Sequence, residues 1–158
     1  MQWGRKMVRE DALVGNRTYW VVVADEFQAS IYSRAKKFSD LEAISELKNE
    51  VAREKLENLI SDRGGRAFDS FGQGRHTYTK ENDAKSQSNL AFARDIAAAL
   101  KSSRRNDSDG LIVIAAPRFL GVLRSALGRA GLEADLAIDK EVTAKGADFV
   151  RDLIDQHY

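Results

Sequence analysis

The run Leu111–Ala116, LIVIAA, is apolar at every position, and Pro117 follows it at once. A strand wetted on one face alternates apolar and polar residues, whereas a strand with no polar position must be covered on both faces. Thr18–Ala24, TYWVVVA, is almost continuously apolar and rich in aromatic and β-branched residues, so it reads as a second such strand. Leu132–Ile138 reads as a third. Buried strands separated by helix-length segments confine the chain to a sheet with helices on its faces.

The remaining segments fill in around these strands. Gln28–Arg34, QASIYSR, is read as the hairpin partner of the first strand after the polar break Asp25-Glu26. Leu41–Lys48, LEAISELK, fits both a strand and a helix start. We read it as a strand leading to a short helix over Asn49–Ile60, with Val51, Leu56, Leu59 and Ile60 as its apolar anchors. Asp83–Lys101 predicts a long helix, with Phe92, Ile96 and Leu100 on one face and Asn82 or Asp83 as its cap. Ser102–Asp109 is a polar connector. Pro117 opens a further helix lined by Phe119, Leu120, Leu123, Ala126, Leu127 and Ala130, which Gly131 ends. A last helix is expected over Ala147–Tyr158, with Phe149, Val150, Leu153 and Ile154 inside. The result is a mixed five-stranded α/β sheet, an antiparallel meander followed by helix-linked parallel strands, in the ribonuclease-H-like order.

Residues 1–16 are read as an N-terminal arm and 17–158 as a single domain, as 158 residues suggest. The N-terminus has no apolar core of a secretory signal, and no apolar run approaches the length of a membrane span, so a cytoplasmic protein without membrane insertion is expected. A net charge of +1 provides no global field for polyanions. The chain has no cysteine, and its two histidines, His76 and His157, lie far apart, so no metal site is expected. No cofactor is expected either.

Between the strand-rich and helix-rich halves stands Ser61–Tyr78, SDRGGRAFDSFGQGRHTY, with no strand or helix period. A connection this long in a small domain is either disordered or functional, and Phe68, Phe71 and Tyr78 argue against simple disorder. The N–H groups around Gly64, Gly65, Gly72 and Gly74 would make an anion-binding nest. Arg63, Arg66, Arg75 and Lys80 outnumber Asp62 and Asp69. Planar arginine forks suit phosphate, and the aromatic rings suit stacked bases. The other reading has Arg63 and Arg66 pairing with Asp62 and Asp69 only to order the segment. His76 is either a general base or a surface residue. Asp25, Arg118 and Lys140 follow three strands, where ligands of α/β sheets gather, although an Asp25–Arg118 ion pair would serve structure alone. Asp25 and Asp139 are too few for a two-metal nuclease site.

The pieces WVVVAD (Trp20–Asp25), SDRGGRAFDS (Ser61–Ser70), Arg75-His76, FARDIAAAL (Phe92–Leu100), APRFLG (Ala116–Gly121) and IDKEVT (Ile138–Thr143) stand in an order that resembles the bacterial host attachment protein family. The resemblance runs from about Thr18 to Tyr158 and links the chain, more distantly, to the middle domain of the archaeal and eukaryotic peptide-chain release factor. It implies a ribonuclease-H-like fold, tRNA or the ribosome as partner, and a Gly-Gly-Gln loop acting at the peptidyl-tRNA ester. Here the matching positions read Gly64-Gly65-Arg66 and Gly72-Gln73-Gly74, neither in that order. The resemblance places Gln73 as the residue that would position water and an oxyanion, the other reading being an ordinary solvent-facing turn glutamine. Arg63, Gly64, Gly65, Arg66, Arg75, Arg118 and Lys140 would then bind RNA or another anion. A non-catalytic module that grips a protein partner is the alternative.

Overall fold

A computed structural model gives the backbone of residues 6–8, 13–63, 74–104 and 109–158. The side chains of residues 6–8, 62, 63 and 74–82 lie outside the described residues. The described strands are β1 (Lys6–Val8), β2 (Tyr19–Ala24), β3 (Gln28–Arg34), β4 (Glu42–Lys48), β5 (Gly110–Ala115) and β6 (Leu136–Asp139). The described helices are α1 (Glu50–Arg63), α2 (Gly74–Ser103), α3 (Pro117–Arg129) and α4 (Ala147–Asp155). All five expected strands join one mixed sheet of order β1-β6-β5-β2-β3-β4. The segment read as an arm supplies β1, which pairs antiparallel with β6 at one edge.

Strands β2, β5 and β6 run parallel, while β3 is antiparallel to β2 and β4 is antiparallel to β3. The two faces of the central strands can be read residue by residue. Trp20, Val22 and Ala24 of β2, with Leu111, Val113 and Ala115 of β5, face the cluster built by Phe92, Ile96 and Leu100 of α2 and by Phe119, Leu123 and Leu127 of α3. Tyr19, Val21 and Val23, with Ile112 and Ile114, face Val150, Leu153 and Ile154 of α4. That division explains the lack of alternation in both runs, because each face has its own helical cover. Gly110 opens β5 where Tyr19 crosses it. A Cβ there would stand 2.3 Å from the Tyr19 ring, so a side chain has no room.

The α3 boundaries fall as expected. Pro117 occupies the first turn, where its missing N–H is no loss. At the other end Gly131 takes φ +79°. The Leu132 N–H donates to the Leu127 carbonyl at 2.8 Å and the Gly131 N–H to the Gly128 carbonyl at 3.0 Å, which closes the helix as a Schellman motif. The third parallel strand is shorter than expected, Leu136–Asp139, because Leu132 takes part in this helix cap, with its side chain in the core cluster.

Several expectations are corrected. Helix α1 runs on through Arg63 and α2 begins at Gly74, so residues 61–63 and 74–78 of the expected loop are helical, while 64–73 lie outside the described residues. Asn82 and Asp83 therefore lie inside α2 rather than at its start. The apolar anchors assigned to α1 are exposed: Val51 at 55%, Leu56 at 43%, Leu59 at 60% and Ile60 at 61%. Helix α1 leaves the end of β4, the outermost strand, so little sheet lies beneath it. Phe149, assigned to the interior of α4, is 40% exposed, since the buried stripe of that helix runs through Val150, Leu153 and Ile154.

Candidate functional site

The carboxyl ends of β2, β4, β5 and β6 share one edge of the sheet, by the pairing directions above. At that edge Asp25 ends β2. Its Oδ1 accepts from the N–H groups of Phe27 (2.7 Å) and Gln28 (2.9 Å), an Asx-type turn into β3. Its Oδ2 accepts from Thr143 Oγ1 at 2.7 Å, which ties the connection after β6 to the end of β2. The expected Asp25–Arg118 ion pair does not form; the Asp25 carboxylate is engaged by these three donors instead. Arg118 stands exposed in the first turn of α3, beyond β5. Lys140, also exposed, follows β6 with its Nζ 5.9 Å from the centroid of the Phe149 ring.

The junction that leads to the Gly-rich segment is polar and buried. Asn49, between β4 and α1, is only 7% exposed, and Glu26 beside it is 8% exposed. The Asn49 side-chain amide donates to the Glu26 carbonyl at 3.0 Å and to Ser88 Oγ of α2 at 3.1 Å. Its Oδ1 accepts from the Ala52 N–H at 3.3 Å, the N-cap bond of α1. Its own N–H donates to the Phe27 carbonyl at 2.8 Å. One residue thus fastens the β2–β3 turn, the start of α1 and the middle of α2. Lys85 of α2 adds an ion pair to the Glu26 carboxylate at 3.2 Å.

From this junction both helices carry the chain outward. At a rise of 1.5 Å per residue, α1 extends about 21 Å beyond Asn49, and α2 starts about 21 Å before Ser88. From Glu54 to Ser61 every residue of α1 is exposed, so the helix stands off the domain. Segment 64–73 connects the far ends of these helices.

Gly64, Gly65, Arg66 and Gln73 lie outside the described residues. Arg63 falls in the last turn of α1, and Arg75 and His76 in the first turn of α2; their side chains also lie outside. Arg118 and Lys140 sit together at the carboxyl edge, beyond the adjacent strands β5 and β6. Sequence reasoning missed Asn49, Ser88, Glu26, Lys85 and Thr143. The signal for Asn49 was present, since asparagine immediately before a helix is a preferred N-cap residue. Nothing local marks Ser88 or Thr143, whose partners lie 39 and 118 residues away.

Among the described residues no three His, Cys, Asp or Glu side chains gather as a metal site, and no helix is long and apolar enough to cross a membrane. Compared with known families, residues 20–152 match the model described as protein required for attachment to host cells. The chain belongs to that family. The match spans every described element from β2 into α4, and so includes both helices that lead to the Gly-rich segment. No curated protein matches the chain.

Proposed function

We propose that this host attachment family protein is a cytoplasmic RNA- or ribosome-engaging domain of ribonuclease-H-like fold, whose Gly-rich segment acts at the peptidyl-tRNA ester. The observation that carries the reading is that the two helices joined by that segment are fastened to the sheet's carboxyl edge at Asn49, Ser88, Glu26 and Lys85. Such a junction lets the segment reach a large partner while the domain stays rigid. The strand order from β6 through β4, with the meander on one side and the crossover strands on the other, supports the fold label. In this reading the arginines Arg63, Arg66 and Arg75 hold phosphates. Gln73, between glycines that permit unusual backbone angles, orients a water. Water attacks the ester carbonyl, the carbonyl–oxygen bond to the tRNA breaks, and the proton given up by the water passes to the departing 3′-oxygen, which leaves as the hydroxyl. His76 is the nearest side chain in sequence that titrates near neutral pH and could pass that proton on.

The test is release of peptide from peptidyl-tRNA and from stalled ribosomes, with Gln73→Ala and Arg66→Ala beside the natural chain. Loss of release in both variants is expected. Absence of release and of RNA binding at low salt in the natural chain would remove the reading.

A second reading has its own observation. Val51, Leu56, Leu59 and Ile60 leave α1 with exposed aliphatic surface beside charges of both signs, a surface suited to protein rather than to polyanion. A non-catalytic module acting through a protein partner would use it. Leu59→Asp together with Ile60→Asp would then abolish the attachment phenotype while leaving RNA binding intact.

A further inference from the structure

The Phe149 ring is 40% exposed in the first turn of α4. Two ammonium groups converge on it, Lys140 Nζ and Lys145 Nζ, each 5.9 Å from the ring centroid. Neither lysine has a carboxylate partner among the described residues. Of the nearby acids, Asp148 lies 3.7 Å from Arg151. Asp139 and Glu141 flank Lys140 in sequence. Two like charges drawn to one ring repel each other, and an anion seated between them would relieve that repulsion. An exposed ring attended by two ammonium groups that lack carboxylate partners suits a nucleotide, the base taking their place on the ring and its phosphate drawing the ammonium groups to itself. The Thr143–Asp25 hydrogen bond fixes this segment at the same sheet edge from which α1 and α2 depart.

We infer that Phe149, Lys140 and Lys145 form a subsite for one nucleotide of a single-stranded RNA, apart in sequence from the Gly-rich segment. The inference rests on the RNA-engaging reading above and adds to it a place where the strand is held. The local acids exclude a long electrostatic track, so recognition is led by stacking and is weak for each site.

Fluorescence anisotropy with a short labelled oligouridylate, at low and at physiological ionic strength, tests this. The natural chain is expected to bind with marked salt dependence, since phosphate contacts release counterions. Phe149→Ala should weaken binding about tenfold, Phe149→Trp should retain it, and Lys140→Ala with Lys145→Ala should flatten the salt dependence. All three positions are exposed, and unchanged circular dichroism and Tm confirm folding. Unchanged binding in Phe149→Ala and in the double lysine variant overturns the subsite while RNA engagement stands. No binding by the natural chain overturns both. Equal competition by heparin and oligouridylate overturns the stacking role, leaving an anion contact alone.

Discussion

Helices α1 and α3 are of similar length and both carry aliphatic residues at helical spacing, yet they meet opposite fates. In α3, Phe119, Leu120, Leu123, Ala126 and Leu127 are all buried. In α1, Val51, Leu56, Leu59 and Ile60 are all exposed. Connectivity explains the difference. Helix α3 joins β5 to β6, two parallel neighbours, so its chain must return along the sheet and lie on it. Helix α1 leaves an edge strand and continues into the Gly-rich segment, with no following strand to draw it back. An apolar stripe states that a surface exists; the elements on either side decide whether the domain itself covers it.

The sharpest way to break this comparison is truncation on each helix. Leu123→Ala is expected to cost about 2–5 kcal/mol by urea unfolding, because the site is fully buried between α2 and the sheet. Leu59→Ala, at 60% exposure, is expected to cost no more than about 0.5 kcal/mol. Equal losses would mean that α1 packs in solution, and the second functional reading would lose its observation.

The same contrast sets what could be read from the chain. The central sheet was legible because unbroken apolar runs admit one burial solution, and Pro117 and Gly131 marked α3 through backbone geometry that depends on those two residues. Helix boundaries around the Gly-rich segment were not, because Gly74, Arg75 and His76 carry no apolar period, and the helix of which they are the first turn is secured farther on, where Ser88 meets Asn49. Phe149 was misassigned for a related reason. It is adjacent to Val150, and only the position of α4 over β2 and β5 decides which of the two turns inward. Among candidate site residues, Arg118 and Lys140 could be placed from the rule that strand ends gather ligands, whereas Thr143 needed the fold.

The junction provides the next test. Asn49→Ala removes an N-cap and leaves the Glu26 carbonyl and Ser88 without a donor, at an expected cost of about 1–3 kcal/mol. Amide hydrogen exchange should speed up along α1 and leave α3 unchanged. Uniform loosening of both helices would show that α1 and the core unfold as one unit. At the C-terminus of α3, Gly131→Ala forces a Cβ into the left-handed region at φ +79°, with no neighbour within 4 Å to clash. The backbone term alone should cost about 1 kcal/mol, and exchange should rise in the last turn of α3 only.

The smallest effect separates burial from charge as the means of holding a helix. Lys85 is 52% exposed at its side chain and Glu26 only 11%, so solvent screens one end of their 3.2 Å contact. Lys85→Ala is expected to cost about 0.5 kcal/mol at low ionic strength and close to nothing at high salt. The Leu123→Ala loss, being apolar, should persist under both conditions. If the Lys85 loss instead proved insensitive to salt, the ammonium would be acting through its packed methylene stem rather than its charge. The attachment of α2 at the sheet edge would then rest on burial, as that of α3 does, and the electrostatic distinction between the two helices would vanish while the difference in α1 remained.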